Sequence, residues 1–179
     1  MTRLVAVAAS LVLTLAGCAA MTQPAITDNT AVAELRDAKG QPAGVATLTQ
    51  VAGGVRIIIE TRRMPPGPRG AHIHEVGKCD APQFTTAGEH FNPGKKQHGT
   101  LNPQGAHAGD LPNMTIAADG TGRLETVTER VTLGAGANSL FGAGGSSIIV
   151  HGSPDDFKTD PTGNTGARIA CGVIVKKPR

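Results

Sequence analysis

The sequence has no tryptophan and no tyrosine, and only four phenylalanines, so its core must be built from Val, Ile, Leu and Ala. It has no segment of any length with apolar residues at the 3.6-residue period, which excludes a helical bundle. It has no run of basic residues interleaved with aromatics, so a net charge of +3 over 179 residues does not describe a nucleic-acid surface. It also lacks an apolar stretch of the roughly 20 residues that a bilayer-spanning helix requires. What it has in quantity is punctuation. There are 24 Gly and 12 Pro, a frequency that suits a turn-rich β protein of one domain with an appendage.

The one sizeable apolar run, Leu4 to Ala16, follows Arg3 and is too short to span a membrane. A positive residue followed by such a run matches an export signal. Its end, Leu15-Ala16-Gly17-Cys18, resembles the lipobox of bacterial lipoproteins. That resemblance implies cleavage before Cys18 and a lipid on its thiol, which would tether the domain to a membrane surface without spanning it. The alternative is an ordinary signal peptide with a chance cysteine. The expected organisation is a signal peptide over 1–17, a lipidated Cys18 and flexible tether over 18–30, and a folded domain over 31–179. The expected location is the periplasmic or extracellular face of a bacterial membrane.

Of three cysteines, Cys79 and Cys171 remain for the domain. In an oxidising compartment such a pair reads as a disulfide, with two free buried thiols as the alternative. A bridge closing a loop of that size stabilises by roughly 4–5 kcal/mol in the chain-entropy model.

Short β-branched stretches with turn signals start at Ala31. AVAELRDA, GVATLTQV, VRIIIETR, a histidine strand around 72–75, NMTIAAD, RLETVTERVTL, SSIIVH and RIACGVIVK make about eight strands. The Asp119-Gly120 pair marks a hairpin turn. Two stretches lack strand pattern, from Gly77 to Pro112 and from Gly152 to Ala167. A patternless segment as long as the first is usually functional. The expected fold is an all-β, eight-stranded antiparallel Greek-key barrel or sandwich with two long loops.

The histidines carry the chemistry. His72 and His74 flank Ile73, and residues i and i+2 of a strand face the same way. His90, His98 and His107 lie in the long loop, with Asp110 three residues on, and His151 ends a strand. Imidazoles with one carboxylate suit zinc and copper, and ligation would order a loop too polar to hold itself by packing. A lone histidine of this kind would read as a solvated loop residue, but a cluster does not.

These stretches, GAHIHE at 70–75, AGEHFNP at 87–93, KKQHG at 95–99, HAGDLPN at 107–113, IVHGSPDD at 149–156 and TGNTGARIACGVI at 162–174, resemble the bacterial copper/zinc superoxide dismutases. The resemblance implies an eight-stranded Greek-key barrel. It implies copper bound by His72, His74, His90 and His151, and zinc bound by His90, His98, His107 and Asp110, with His90 bridging both. Cys79 and Cys171 match the family's disulfide. Arg168 matches the arginine beside copper, and Asp155 the carboxylate joining a copper histidine to a zinc histidine. The implied activity is conversion of superoxide to oxygen and hydrogen peroxide by alternating reduction and reoxidation of copper, with Arg168 docking the anion and His90 carrying a proton. Lys95 and Lys96 are either ordinary solvated charges or contributors to the attracting field.

The second loop departs from the family: Gly152-Ser153-Pro154 follow His151, and the loop is short. That loop shapes the electrostatic approach in the family, so the resemblance leaves the rate and the charge steering of the substrate open here. Subunit contacts of many relatives fall between Cys79 and His90, which leaves monomer and homodimer both open. Two other readings compete. A metal-storing module without turnover would have lost a copper ligand or the arginine, and neither is lost here. A mononuclear zinc hydrolase needs an open zinc and a base such as Glu75 or Glu89, and has no use for six histidines.

Overall fold

The computed structural model describes residues 29–177; the signal segment, Cys18 and most of the tether lie outside the described residues. The elements are β1 (Thr30–Asp37), β2 (Pro42–Val51), β3 (Gly54–Thr61), β4 (Gly67–Arg69), β5 (Ala71–His74), a single 3-10 turn (Thr85–Ala87), β6 (Met114–Ile116), β7 (Gly122–Thr128), β8 (Ser147–His151), β9 (Arg168–Val173) and β10 (Val175–Lys176). All pair antiparallel, in the order β4-β6-β7-β3-β2-β1-β9-β8-β5, with β10 beside β1. The two ends of that order, β4 and β5, are consecutive in sequence and meet at Gly70. One bent strand therefore closes the barrel, pairing with β6 on one side and β8 on the other. Counting β4–β5 and β9–β10 as single strands gives the eight expected from the sequence.

The period-2 pattern places the core. Val55, Ile57, Ile59 and Thr61 of β3 are buried, while Arg56 and Glu60 face out. On the outer surface Arg56 pairs with Glu125 and Arg123 with Glu60, exposed contacts worth little each. Inside, the main cluster is aliphatic, with Leu35, Leu48, Ile57, Ile59, Ile73 and Ile148 essentially inaccessible. Each such side chain contributes about 1.5–3 kcal/mol of burial free energy. Phe84 belongs to a separate small cluster with Ala87, Ile149 and Cys171.

One strand ends earlier than its pattern suggests. RLETVTERVTL reads as continuous strand, but β7 stops at Thr128, and residues 129–146 cross from β7 to β8 on the far side of the barrel. The alternating Val131 and Leu133 are buried against the main core rather than in a sheet ladder. Gln50 pins that crossing, its Oε1 accepting from Leu133 N–H (2.8 Å) and Thr132 Oγ1 (3.0 Å).

Candidate metal centre

β5 is the last strand in the sheet order, and its open edge is where the long loop docks. Ile73 N–H donates to Gly109 O (2.9 Å) and Ile73 O accepts from Phe91 N–H (2.8 Å), while Gly109 N–H donates to Phe91 O (2.8 Å). Backbone bridges pair His72 with Asp110 and His74 with His90. Gly109 is needed for this approach, because a Cβ there would stand 2.3 Å from Ile73 O. The loop lacks strand pattern because its pairing partner is a strand edge, which it also shields. This docking places His90 and Asp110 directly against His72 and His74. The pairing of β5 with β8 and of β8 with β9 then brings in His151 and, opposite it, Arg168.

All six histidines are buried, none more than 5% exposed, as is Asp110. Ligating atoms of His72, His74, His90 and His151 lie within 4.8 Å of one another. In this group His72 Nδ1 and the Nε2 atoms of His74, His90 and His151 are buried and have no hydrogen-bond partner. Buried polar atoms are normally satisfied, so four converging orphans call for a ligand that accepts lone pairs. The opposite nitrogens are all engaged. His74 Nδ1 is 3.0 Å from Gly88 O, and His151 Nδ1 is 3.2 Å from Thr165 Oγ1, a hydroxyl that itself donates to Thr162 O. His72 Nε2 is 2.8 Å from Asp155 Oδ2. Each of these partners accepts, so each outer nitrogen carries the ring proton and each inner one presents its lone pair.

His90 turns its other nitrogen the opposite way. Its Nδ1 lies 3.1 Å from Asp110 Oδ1, and the Nδ1 atoms of His98 and His107 lie 3.0 and 3.4 Å from the same oxygen. His107 Nδ1 is also 3.4 Å from His90 Nδ1. Four donors on a tetrahedron with bonds of about 2.0–2.1 Å are separated by about 3.3–3.4 Å, the geometry of structural zinc. His72 comes within 4.8 Å of His90, His98 and Asp110 too. With Nε2 committed to Asp155, however, its remaining nitrogen belongs to the first group. The second oxygen of Asp110 accepts from the N–H groups of Gly99 and His107 (both 2.9 Å). Asp155 joins the two groups, holding His72 Nε2 on one oxygen and His98 Nε2 on the other (3.0 Å).

Electrostatics follow burial. Desolvation pushes His74 and His151 down to about 2 and His90 to about 4, so none of the three is an imidazolium near neutrality. His98 is the exception. Burial opposes its charge, but the hydrogen bonds to Asp110 and Asp155 outweigh burial and raise it to about 9. Burial likewise opposes ionisation of Asp110 and Asp155, yet the histidine contacts and backbone N–H donors hold both well below the usual carboxylate range.

Arg168 is partly buried. Its Nη1 donates to Phe84 O (2.8 Å) and its Nη2 to Gly88 O (2.7 Å), the carbonyl that also receives His74. The Cys79–Cys171 disulfide ties the segment bearing these carbonyls to β9. Lys95 and Lys96 are exposed, and Lys96 lines a cleft of about 350 Å³ with Glu75, Glu89, His90, His107 and Asp160. Sequence reasoning did not single out Gly88, Thr165 or Asn113. Gly88 acts through a carbonyl, which every residue possesses, so no side-chain signal exists. Thr165 and Asn113 lie inside the quoted motifs and could have been noticed as polar residues beside ligands.

The family model for copper/zinc superoxide dismutase matches residues 42–174. The chain is 50% identical over 144 residues to superoxide dismutase [Cu-Zn] 1 of Aquifex aeolicus, covering 79% of this chain and 85% of that one. It is 45% identical over 147 residues to the superoxide dismutase [Cu-Zn] of Caulobacter vibrioides, covering 80% and 84%. The crystal structure of a SOD-like protein from Bacillus subtilis superimposes with a TM-score of 0.77 at 37% identity, over 80% of this chain and 97% of that one. Fold, clustered histidines and sequence kinship agree, and the chain belongs to the copper/zinc superoxide dismutase family.

Proposed function

We propose that this chain is an exported superoxide dismutase protecting the bacterial cell envelope. Copper would be held by His72 Nδ1 and by Nε2 of His74, His90 and His151. Zinc would be held by Nδ1 of His90, His98 and His107 with Asp110 Oδ1. The carrying observation is the set of four partnerless, inward-facing imidazole nitrogens at one point. The donor chemistry fits both ions: all-imidazole for copper, three imidazoles and a carboxylate for zinc.

Bound copper supplies the one-electron oxidation and reduction that superoxide needs, and zinc supplies fixed charge without redox chemistry. The chain's own residues bind the anion and handle the protons. Arg168 keeps its charge at any working pH and docks superoxide electrostatically. Its two carbonyl contacts stop it swinging away, and the shared Gly88 O keeps it beside His74. His90 Nε2 is the proton-bearing atom: it takes up a proton when free and passes it to the reduced dioxygen, with water giving the second. Two superoxide ions and two protons thus yield oxygen and hydrogen peroxide.

Metal analysis alongside a superoxide assay tests the reading. Mature protein loaded with both metals should quench superoxide and lose activity to cyanide. Full activity with zinc alone would refute the copper assignment. For the anchor, Cys18→Ser should move the protein from the membrane pellet to the soluble fraction; an unchanged distribution would remove the lipid from the proposal.

A further inference from the structure

Asn113 stands three residues after Asp110, immediately before β6. Its side-chain amide grips the backbone of Asp155, 42 residues away, at both ends: Nδ2 donates to Asp155 O and Oδ1 accepts from Asp155 N–H, each at 2.8 Å. A peptide N–H can only donate and a carbonyl can only accept, so these partners fix which way the amide faces. Few side chains could replace it. Aspartate would set a second acceptor against Asp155 O, glutamine is a methylene longer, and alanine offers nothing. Gly163 packs closely against the Asp155 carboxylate. A Cβ at Gly163 would fall 1.9 Å from Asp155 Oδ1 and 2.6 Å from His98 Nε2. Asp155 is therefore clamped through its main chain by Asn113 and left room for its carboxylate by Gly163.

We infer that Asn113 is a positioning residue for both metals. It sets the main chain of Asp155, and Asp155 orients His72 on the copper side and His98 on the zinc side. The inference rests on the metal assignment under Proposed function. It joins the end of the zinc-binding loop to the second loop at one point, so a change at a residue touching neither metal reaches both.

The test uses full-length mature chain loaded with copper, and with cobalt as a coloured reporter in the zinc position. Asn113→Ala should weaken zinc retention against a chelator by about 3–10-fold, short of the 10–100-fold cost of losing a partner that bonds the ligands directly. It should also shift the cobalt absorption bands and the copper EPR parameters, which a purely structural loss would leave in place. Asn113→Asp keeps the acceptor for Asp155 N–H and should fall between wild type and Asn113→Ala. In an Asp155→Ala background Asn113→Ala should add less than about twofold, because the coupled partner is already gone. Unchanged zinc retention and spectra in Asn113→Ala, or an undiminished effect in the Asp155→Ala background, would overturn the role. If Asn113→Ala does not fold, unchanged retention and spectra in Asn113→Asp overturn it. Failure of the wild-type chain to take up copper and cobalt would instead strike the metal assignment.

Discussion

His72 and His98 come from different parts of the chain, a strand and a loop, yet they meet on the two oxygens of one buried carboxylate, that of Asp155 (2.8 and 3.0 Å). That contact orients one imidazole of each cluster. Asp155→Ala should therefore loosen both, with zinc affinity falling about 10–100-fold by chelator competition. A zinc affinity equal to wild type would show that the carboxylate is a bystander.

His151 reaches only the first cluster. His151→Ala should abolish superoxide quenching and the copper EPR signal while leaving zinc bound, as read by elemental analysis. Parallel loss of both metals would mean the two groups are not separable.

In the metal-free protein the depressed histidines govern acid sensitivity. His74, His90 and His151 refuse protons in the fold that the unfolded chain accepts below its ordinary value of 6.5. The unfolded state then binds more protons, so stability falls as pH drops from 6.5 toward 4. The raised His98 acts oppositely: its contribution is fully present below 6.5 and fades as pH rises toward about 9. Urea midpoints across pH 4 to 9 should accordingly decline on both sides of neutrality, and a flat profile would contradict both shifts.

Because His98 is protonated near neutrality without metal, zinc must displace that proton. Uptake at pH 7.5 should release about one proton per site, seen by calorimetry in buffers of differing ionisation heat. Binding with no proton release would mean His98 was already neutral.

Arg168→Ala should lower kcat/KM on the order of 10–100-fold, the range that charge steering supplies, with copper retained. The residual rate should depend less on salt. Reducing the disulfide should mimic part of this loss. The bridge closes a 92-residue separation, worth roughly 4–5 kcal/mol, and holds the carbonyls of Phe84 and Gly88 against Arg168. Unaltered kinetics in reduced, still-metallated protein would separate the bridge from the arginine.

Much of this was legible in the sequence. The two-residue spacing of His72 and His74, the turn at Asp119-Gly120 and the aliphatic core all follow from local chemistry. The break at Gly70 was not, because a barrel closes by joining strands remote in sequence. The crossing at 129–146 was hidden too, since Val131 and Leu133 alternate like strand residues while packing on the core from outside any ladder. Proton-accepting partners such as Gly88 O and Thr165 Oγ1 belong to tertiary contact alone.

The docking of the long loop on β5 carries one more cost. Ile73, whose side chain is wholly inaccessible, has its backbone groups covered only by Gly109 and Phe91, neighbours of Asp110 and His90. If losing the ions loosened that docking, the exposed edge of β5 would be a ready template for strand addition by another molecule. Metal starvation would thus threaten more than turnover, because an uncovered strand edge favours self-association.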